Sequence, residues 1–462
     1  MIDLRALPAG RPYAVLGLGR SGRAATRALL AAGHKVWAWD DDPQTRESGR
    51  GEKIPIVDLR RRDLREPAAL VLSPGIPHRY PAPHPIVCRA QNAGCPVVGD
   101  GELFARAHPE AACVGITGTN GKSTTTALIG HVLNAAHRPC VTGGNLGTAV
   151  LALDAVPDGG LYVLEMSSYQ LELTPSLLFQ VAVLLNITPD HLDRHGGMKG
   201  YVAAKRAIFR RQGPGAAAIV GVDDDFCRTI AAELAGASSA RVIPVSGRAA
   251  VELGVYAIAG TLYDNLDGTP RPVLDLAEAP SLPGEHNAQN AAAAYAVARA
   301  LGLDVDLIRS AIRTFPGLAH RQERIAAIDG VVFVNDSKAT NADAAARALA
   351  CYGNVYWIGG GRPKEGGLEA LRPYLPRIRH AFLIGEAMEG FAAWLDGLVP
   401  FTRCGTLDVA VAAAAAAAAA ADPDRETERP VVLLSPACAS FDQFASFEAR
   451  GKAFCQLVEA LR

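Results

Sequence analysis

The sequence lacks an excess of charge of either sign, and it has no long apolar run. Its 46 Lys and Arg residues balance 47 Asp and Glu residues, which leaves a formal net charge of −1. Nucleic-acid and membrane surfaces favour a basic excess, so we expect neither as the main partner. No stretch approaches the roughly eighteen apolar residues of a membrane-spanning helix, and residues 1–5 do not begin a signal peptide. These absences predict a cytoplasmic protein.

Paired cysteines are also missing. The nine cysteines include no C-x-x-C pair and no metal-ligand spacing. An odd number of scattered cysteines in a long chain is typical of reduced thiols in a reducing compartment. Hydrophobic residues make up 49% of the chain and charged residues 20%, which indicates a globular protein. At 462 residues, the chain is expected to form about three domains.

A glycine-rich turn follows the first apolar strand of the sequence. The strand, Tyr13–Leu16, leads into G-x-G-x-x-G at residues 17–22, then a helix, then a strand at 35–39 that ends at Asp40. In such a βαβ unit the helix N-terminus holds a pyrophosphate and the acid holds a ribose hydroxyl. UDP carries both groups, so the motif does not distinguish NAD from a UDP-sugar.

A second glycine-rich loop follows the strand predicted at 112–117. Gly118 and Gly121 let backbone N–H groups converge on phosphate oxygens, Lys122 supplies a positive charge, and the Ser123 hydroxyl suits Mg²⁺. Ile116 stands five residues before Gly121, where the usual P-loop has glycine, which indicates a variant class. The alternative is a plain glycine-rich turn that opens a helix. This loop, called the phosphate loop below, comprises Gly118, Thr119, Asn120, Gly121, Lys122, Ser123 and Thr124.

Candidate metal ligands follow the next two predicted strands, 161–164 and 181–185. Glu165 comes directly after the first, and is either a metal ligand or a first-turn helix acid. The loop at 186–195 after the second is rich in Asp, His and Arg. His191 in this loop could ligate a metal; alternatively, the loop is a helix N-terminus capped by Thr188.

Lys205 allows two interpretations. By default it is an exposed helical lysine. The alternative is a lysine kept neutral by burial, which can take up CO₂ and become a carbamate ligand for a metal.

The last third of the sequence alternates apolar strands with helical patterns. Strands predicted at 331–334, 355–358 and Val431–Leu434 are each followed by a polar loop, at 335–341, 359–364 and 435–444. Each loop alone could be turn chemistry, but in a doubly wound sheet all three should converge on one edge. Polar, cationic and hydroxyl groups gathered there indicate a site for a small charged substrate.

Together these motifs resemble those of a known family. The order of the loop 118–124, the segment 165–170, the loop 186–193, Gly284-Glu285-His286-Asn287 and His320-Arg321 is similar to that of the Mur ligases of peptidoglycan synthesis. The resemblance implies an α/β fold of three domains: a Rossmann-like UDP-binding domain (1–100), a central P-loop ATPase-like domain with a mostly parallel sheet (101–317), and a Rossmann-like C-terminal domain (318–462).

The resemblance also implies a reaction. The loops 335–341 and 435–444, with the first glycine-rich turn, are similar to the D-glutamate-adding branch of the family. In that branch the carboxylate of UDP-N-acetylmuramoyl-L-alanine attacks ATP to give an acyl phosphate, which the amine of D-glutamate then attacks. We expect a monomer that uses two Mg²⁺ ions, one of them bound through carbamylated Lys205. The alternatives are a Mur-type ligase that adds another amino acid such as L-glutamate, an NAD-dependent oxidoreductase, or a non-catalytic P-loop switch.

Residue roles implied by the resemblance fall into four sets. The catalytic set is Lys122, His191 and Lys205, and the metal set is Ser123, Glu165, His191 and Lys205. Beyond the phosphate loop, the nucleotide contacts are Asn287, Asn290, Arg321 and Asp336. The UDP and muramoyl contacts are Arg20, Ser21, Asp40, Ser73, Gly75 and Asn145. The D-glutamate contacts are Thr340, Lys364, Ser440 and Phe447.

Overall fold

The computed structural model describes residues 1–145, 147–237, 239–363, 367–421 and 428–462. Within these residues the strands form three sheets, and the chain divides into two compact units. One unit comprises Met1–Glu278 with Asn287–Thr314, and the other Ala279–His286 with Phe315–Arg462. The predicted boundary near residue 100 lies inside the first unit, which holds two of the sheets, so the division into three domains stays a prediction. The predicted α/β class with mostly parallel sheets is confirmed.

The first sheet contains the predicted βαβ unit. Its strand order is β2-β1-β3-β4, with parallel pairing throughout, and the fully buried apolar strand β1 lies between β2 and β3. The elements are β1 (Tyr13–Leu16), α1 (Arg20–Ala31), β2 (Val36–Trp39), α2 (Pro43–Gly51), β3 (Ala69–Leu72), α3 (Pro85–Asn92), β4 (Val97–Val98) and α4 (Asp100–Ala107).

The second sheet has the order β13-β12-β11-β10-β9-β8-β5-β7-β6. Its pairs are parallel from β6 to β11, and β11, β12 and β13 form an antiparallel meander in the irregular stretch at 249–280. The elements are β5 (Cys113–Thr117), α5 (Lys122–Ala135), β6 (Cys140–Gly144), β7 (Leu161–Glu165), α6 (Ser168–Glu172), β8 (Val181–Leu184), α7 (Leu192–His195), α8 (Met198–Arg206), β9 (Ala217–Gly221), α9 (Asp225–Ala237), β10 (Arg241–Ser246), β11 (Val255–Ile258), β12 (Thr261–Asp264), β13 (Arg271–Asp275), α10 (Glu285–Ala300) and α11 (Val305–Arg313).

The third sheet has the order β14-β15-β19-β16-β17-β18, with only its edge strand β14 antiparallel among the described strands. The elements are β14 (Glu323–Ile328), β15 (Val331–Asn335), α12 (Ala342–Leu349), β16 (Val355–Gly360), β17 (Ile378–Ile384), α13 (Met388–Leu395), β18 (Phe401–Gly405), α14 (Leu407–Ala419), β19 (Val431–Leu434) and α15 (Phe447–Glu459). Strands β15, β19 and β16 are neighbours, so the loops that follow them meet at one edge, as predicted.

Each parallel sheet is covered by helices, which explains why its strands are continuous apolar runs rather than alternating ones. Strand β5, at the centre of the second sheet, is buried along its whole length, as are its neighbours β7 and β8. Among the described helices, none is both long and apolar enough to span a membrane.

Candidate active site

A cavity of about 510 Å³ opens at the carboxyl edge of the first sheet. Gly17 of the first turn allows the backbone to pack closely there. Gly17 has φ +91°, and a Cβ on it would lie 2.7 Å from the Cβ of Ser73. All the predicted UDP and muramoyl contacts line this cavity, namely Arg20, Ser21, Asp40, Ser73, Gly75 and Asn145. Asp41 and His84 line it as well.

Asp40, the acid that follows β2, is hydrogen-bonded to the protein's own backbone. Asp40 accepts hydrogen bonds from the N–H of Leu18 (2.7 Å) and from the N–H of Asp42 (2.9 Å), one on each carboxylate oxygen. Beside it, Asp41 pairs with His84 at 2.7 Å between Oδ2 and Nε2. Asp40 therefore fixes the turn around the cavity, and its contact with UDP stays a prediction.

The phosphate loop is braced by an asparagine from the neighbouring strand. Asn186, just after β8, accepts the N–H of Thr119 on its carbonyl (2.8 Å) and the N–H of Asn120 on its side chain (2.9 Å). These two N–H groups are therefore bonded within the protein and do not point at a phosphate. The loop thus differs from one in which every backbone N–H group points at the ligand. The N-terminus of α5, which begins at Lys122, is the part of this loop that is suited to bind a phosphate.

Gly121 shows why the loop needs a glycine immediately before α5. Its φ is +85°, and a Cβ there would collide with the side-chain oxygen of Asn290. Asn290 is buried; it accepts from Thr125 (3.2 Å) and donates to Asn287 (3.0 Å). Asn290 thus packs against the loop at Gly121, and Asn287 is hydrogen-bonded to Asn290. The contact of both residues with the adenine stays a prediction.

Two lysines meet at one carbonyl of the loop. Lys122 Nζ donates to the carbonyl of Gly118 (3.0 Å) and to that of Thr119 (2.8 Å), while Lys205 Nζ donates to the same Gly118 carbonyl at 2.7 Å. Lys205 is 2% exposed, so the default interpretation of an exposed lysine is wrong. Burial, and next the charge of Lys122, hold the pKa of Lys205 well below its ordinary value. Both effects favour the neutral amine form of Lys205 over its ammonium form.

Glu165 is the last residue of β7 and is 2% exposed. Its Oε1 accepts from Asn145 Nδ2 at 2.8 Å, whereas its buried Oε2 has no hydrogen-bond partner among the described residues. A buried carboxylate oxygen without a donor is costly unless a cation completes it, so Glu165 fits the predicted Mg²⁺. Asn145 also lines the cavity of the first sheet and thereby connects it to Glu165.

His191 lies at the N-terminal end of α7 in a left-handed conformation, with φ +51°. It occupies the cap position itself, so the expectation that Thr188 caps this helix is wrong. Burial lowers the pKa of His191, against the opposing effect of Asp190, and the neutral imidazole is the form that binds metals. Among the described residues, no three His, Cys, Asp or Glu side chains are grouped to hold a metal. The predicted set contains only two such residues, so it depends on Lys205.

The loops after β15, β16 and β19 are joined by hydrogen bonds, as the sequence predicts. Ser435 donates to Asp336 (2.8 Å), and Gly360 N–H donates to the carbonyl of Pro436 (2.9 Å). Burial raises the pKa of Asp336 to about 7. His320 and Gln322, on either side of Arg321, have φ of +63° and +45°. Such strain in non-glycine residues is characteristic of functional sites.

Arg450 is a residue of this edge that the sequence did not single out. It is 1% exposed and has no carboxylate partner among the described residues. Its guanidinium donates to both oxygens of Ser337 (3.0 and 2.9 Å), to Cys438 O (3.1 Å) and to Ala439 O (3.4 Å). Arg450 thus ties the loop 335–341 to the loop 435–444. No local sequence signal distinguishes it from an ordinary helical arginine.

Two of the predicted D-glutamate contacts, Ser440 and Phe447, lie in the two elements that Arg450 joins, the loop 435–444 and α15. Ser440 is buried in the loop that Arg450 holds, and Phe447 begins α15, with Lys338 Nζ 3.9 Å from its ring centre. Thr340 is half-buried at the end of the loop 335–341. Lys364 lies outside the described residues. Cys438 is buried, in keeping with a packing role.

Comparison with known proteins identifies the arrangement. Residues 116–298 match the model of the Mur ligase middle domain. The UDP-N-acetylmuramoylalanine–D-glutamate ligase of Paramagnetospirillum magneticum is 55% identical over 98% of this chain and 97% of its own. That of Rhodospirillum rubrum is 53% identical over 98% of this chain and 95% of its own. The solved structure of the UDP-N-acetylmuramate–alanine ligase MurC from Thermotoga maritima covers 98% of this chain and 100% of its own, with a TM-score of 0.58 at 16% identity.

The matched middle domain is the segment that carries the phosphate loop, Glu165 and Lys205. With relatives that are 55% and 53% identical over 98% of the chain, this match shows that the protein is a Mur ligase. The near-full-length relatives narrow the assignment: the chain belongs to the family of UDP-N-acetylmuramoylalanine–D-glutamate ligases.

Proposed function

We propose that this ligase joins D-glutamate to UDP-N-acetylmuramoyl-L-alanine at the expense of ATP, through an acyl phosphate. The observation that carries the proposal is the meeting of Lys122 and Lys205 at the Gly118 carbonyl. A generic ATP-binding loop needs only the first lysine. A second, buried and neutral lysine at the same carbonyl suits a ligase whose metal site includes a carbamate.

The first half-reaction takes place at the phosphate loop. The N-terminus of α5 and Lys122 bind the β- and γ-phosphates, and Ser123, Glu165 and His191 hold Mg²⁺. When bound, the metal offsets the negative charge that builds up on the transferring phosphoryl group. Arg20, Ser21, Asp40, Ser73 and Gly75 hold the UDP portion in the cavity of the first sheet, and Asn145 orients the muramoyl portion next to Glu165. The substrate carboxylate is thereby brought to the γ-phosphate.

Lys205 supplies a further metal ligand after modification. Its neutral amine attacks CO₂, forms an N–C bond and releases one proton, which leaves a carbamate with a negative charge. The positive charge of Lys122 stabilises that anion, just as it disfavours the ammonium form of Lys205. That carbamate would be the ligand of the second Mg²⁺.

The second half-reaction needs the C-terminal loops. Thr340, Lys364, Ser440 and Phe447 hold D-glutamate, and the buried charge of Arg450 favours an anionic substrate beside them. Arg321 and Asp336 contact the phosphates and ribose of the nucleotide, with Asn287 and Asn290 on the adenine side. The amine attacks the acyl carbon, the amide bond forms, and phosphate leaves. The enzyme acts as a monomer in the cytoplasm.

The experiment is phosphate release from ATP with UDP-N-acetylmuramoyl-L-alanine and D-glutamate, L-glutamate or no amino acid. We expect sustained release and an amide product only with D-glutamate. Release with L-glutamate alone would favour the Mur-type alternative, and equal release in all three arms would refute the proposal.

A further inference from the structure

Two residues at the end of α7, Arg194 and Gly196, contact the loop 74–80 of the first sheet. Arg194 Nη1 donates to the carbonyl of Gly75 at 2.9 Å. Gly196, with φ +66°, lies so close to Tyr80 that a Cβ on it would be 2.8 Å from the ring. The residue between them, His195, points the other way, into the protein, where its side chain is fully buried.

His195 reaches the same loop through a glutamate. Its Nδ1 lies 3.4 Å from Glu172 Oε2, and His78 Nε2 lies 3.8 Å from that same oxygen. The other ring nitrogen of His195 is 2.9 Å from Ser168 Oγ, which fixes the ring. These three facing atoms are buried and lack hydrogen-bond partners among the described residues. The Glu172 carboxylate therefore lies between the two imidazoles and connects His195 with His78 of the loop 74–80 by close packing.

The contacts join the two ends of the reaction site. The loop 74–80 follows Ser73, and its residues Pro74 to Pro77 line the cavity of the first sheet. Arg194 and His195 lie in α7, which His191 caps, and Gly196 follows this helix. The segment before α7 begins at Asn186, which braces the phosphate loop. The loop 74–80, which lines the cavity, is thus connected to the phosphate loop through the segment 186–196. These contacts can position a substrate in the cavity relative to the phosphate loop.

We propose that Arg194, His195, Gly196, Glu172 and His78 form a coupling clamp that positions the sugar-nucleotide substrate relative to the phosphate loop. The inference rests on the proposed function, because it assigns UDP-N-acetylmuramoyl-L-alanine to the cavity. Attack on the γ-phosphate requires the two substrates to be aligned to within about 1 Å, since a misplacement of that size can cost roughly a hundredfold in rate. Arg194 and Glu172 are positioning residues: they act on the substrate through the loop 74–80.

The test uses the full chain with Arg194→Ala, Arg194→Lys and Glu172→Gln. Asp264→Asn is the matched control, because Asp264 is a buried carboxylate that bonds Tyr295 and lies in β12. Calorimetry measures the affinity for UDP-N-acetylmuramoyl-L-alanine and, separately, for ATP. We expect Arg194→Ala and Glu172→Gln to weaken sugar-nucleotide binding roughly tenfold, with ATP affinity within about twofold of the parent. Arg194→Lys should recover part of the loss.

Binding is measured without turnover, so the result stands even if the parent protein shows no ligase activity, which would refute the proposed function alone. An unchanged sugar-nucleotide affinity in Arg194→Ala would overturn the clamp. An equal loss for ATP, or the same loss in Asp264→Asn, would also overturn it, since either indicates general destabilisation. If Glu172→Gln does not fold, the Arg194 variants alone test the clamp. Arg194 is only half-buried, so we expect its variants to fold.

Discussion

Lys122 and Lys205 donate hydrogen bonds to one acceptor, the carbonyl oxygen of Gly118, at 3.0 and 2.7 Å. Two ammonium groups cannot share a carbonyl in a buried site without strong repulsion. Lys205 is the more deeply buried, and its pKa is held well below the ordinary value. The charge of Lys122 therefore favours the neutral form of Lys205, which is the form that the proposed carbamate requires.

Replacing Lys205 by Ala should lower kcat by at least about a hundredfold, because a metal ligand is lost. Short carboxylates such as acetate should restore part of the activity by taking the place of the carbamate. Steady-state phosphate release with and without acetate measures both effects. Lys199→Ala, an exposed position in the same helix α8, is the control and should retain activity. Full activity in Lys205→Ala would show that no carbamate is needed.

Replacing Gly121 by Ala should weaken ATP binding at least about tenfold and destabilise the protein by roughly 1–3 kcal/mol, because alanine is strained at φ +85° and its Cβ meets Asn290. Calorimetric ATP affinity and denaturant unfolding test this. Gly236→Ala is the matched control: Gly236 is in α9 with no atom within 4 Å of an added Cβ. That control should keep its ATP affinity and be neutral or slightly stabilised. Normal ATP binding by Gly121→Ala would show that the loop is not part of the ATP site.

The strands and the main site loops could be predicted from the sequence, because buried parallel strands are continuous apolar runs and ligand loops follow their carboxyl ends. Predicted strand ends differ from the observed ones by one residue at several places. Glu165, for example, is the last residue of β7 rather than the first after it.

What the sequence could not predict is how side chains are engaged over long distances. Asn186 reaches back 66 residues to Asn120, and Arg450 reaches 113 residues to Ser337. Asp40 has the position of a ribose ligand, yet its carboxylate bonds two backbone N–H groups. Local pattern shows which residue types are present, whereas the packing of neighbouring strands decides which of them are available to a ligand.

Replacing Arg450 by Met should cost about 2–4 kcal/mol of unfolding free energy, because the oxygens of Ser337, Cys438 and Ala439 lose a buried donor. The KM for D-glutamate should rise as the loops separate, and Arg450→Lys should fall between the two. Denaturant unfolding and amino-acid kinetics measure these effects. Arg377→Met removes an exposed arginine bonded to the carbonyl of Ala350, and it should change stability by less than about 0.5 kcal/mol. Similar costs at both positions would contradict a special role for Arg450.

Asp336 predicts a pH dependence of stability. Burial raises its pKa from 3.8 to about 7, so between these values the folded state binds more protons than the unfolded one. The contribution of this group therefore favours folding below pH 3.8 and is progressively lost as pH rises towards about 7. Asp336→Asn should be the more stable protein above that interval, by roughly 1–3 kcal/mol, and lose the advantage in acid. Thermal unfolding of both proteins across the pH range tests this. A difference that does not vary with pH would show that Asp336 is not the titrating group.

In the proposed reaction, ATP activates the carboxylate of the sugar-nucleotide substrate. The most direct measurement uses UDP-N-acetylmuramoyl-L-alanine labelled with ¹⁸O at both oxygens of its carboxylate, with ATP and D-glutamate, followed by mass analysis of the released phosphate. In an acyl phosphate, one carboxylate oxygen bridges carbon and phosphorus and leaves with the phosphate. We predict that each phosphate formed carries one ¹⁸O atom; unlabelled phosphate accompanying a normal yield of amide would contradict the account.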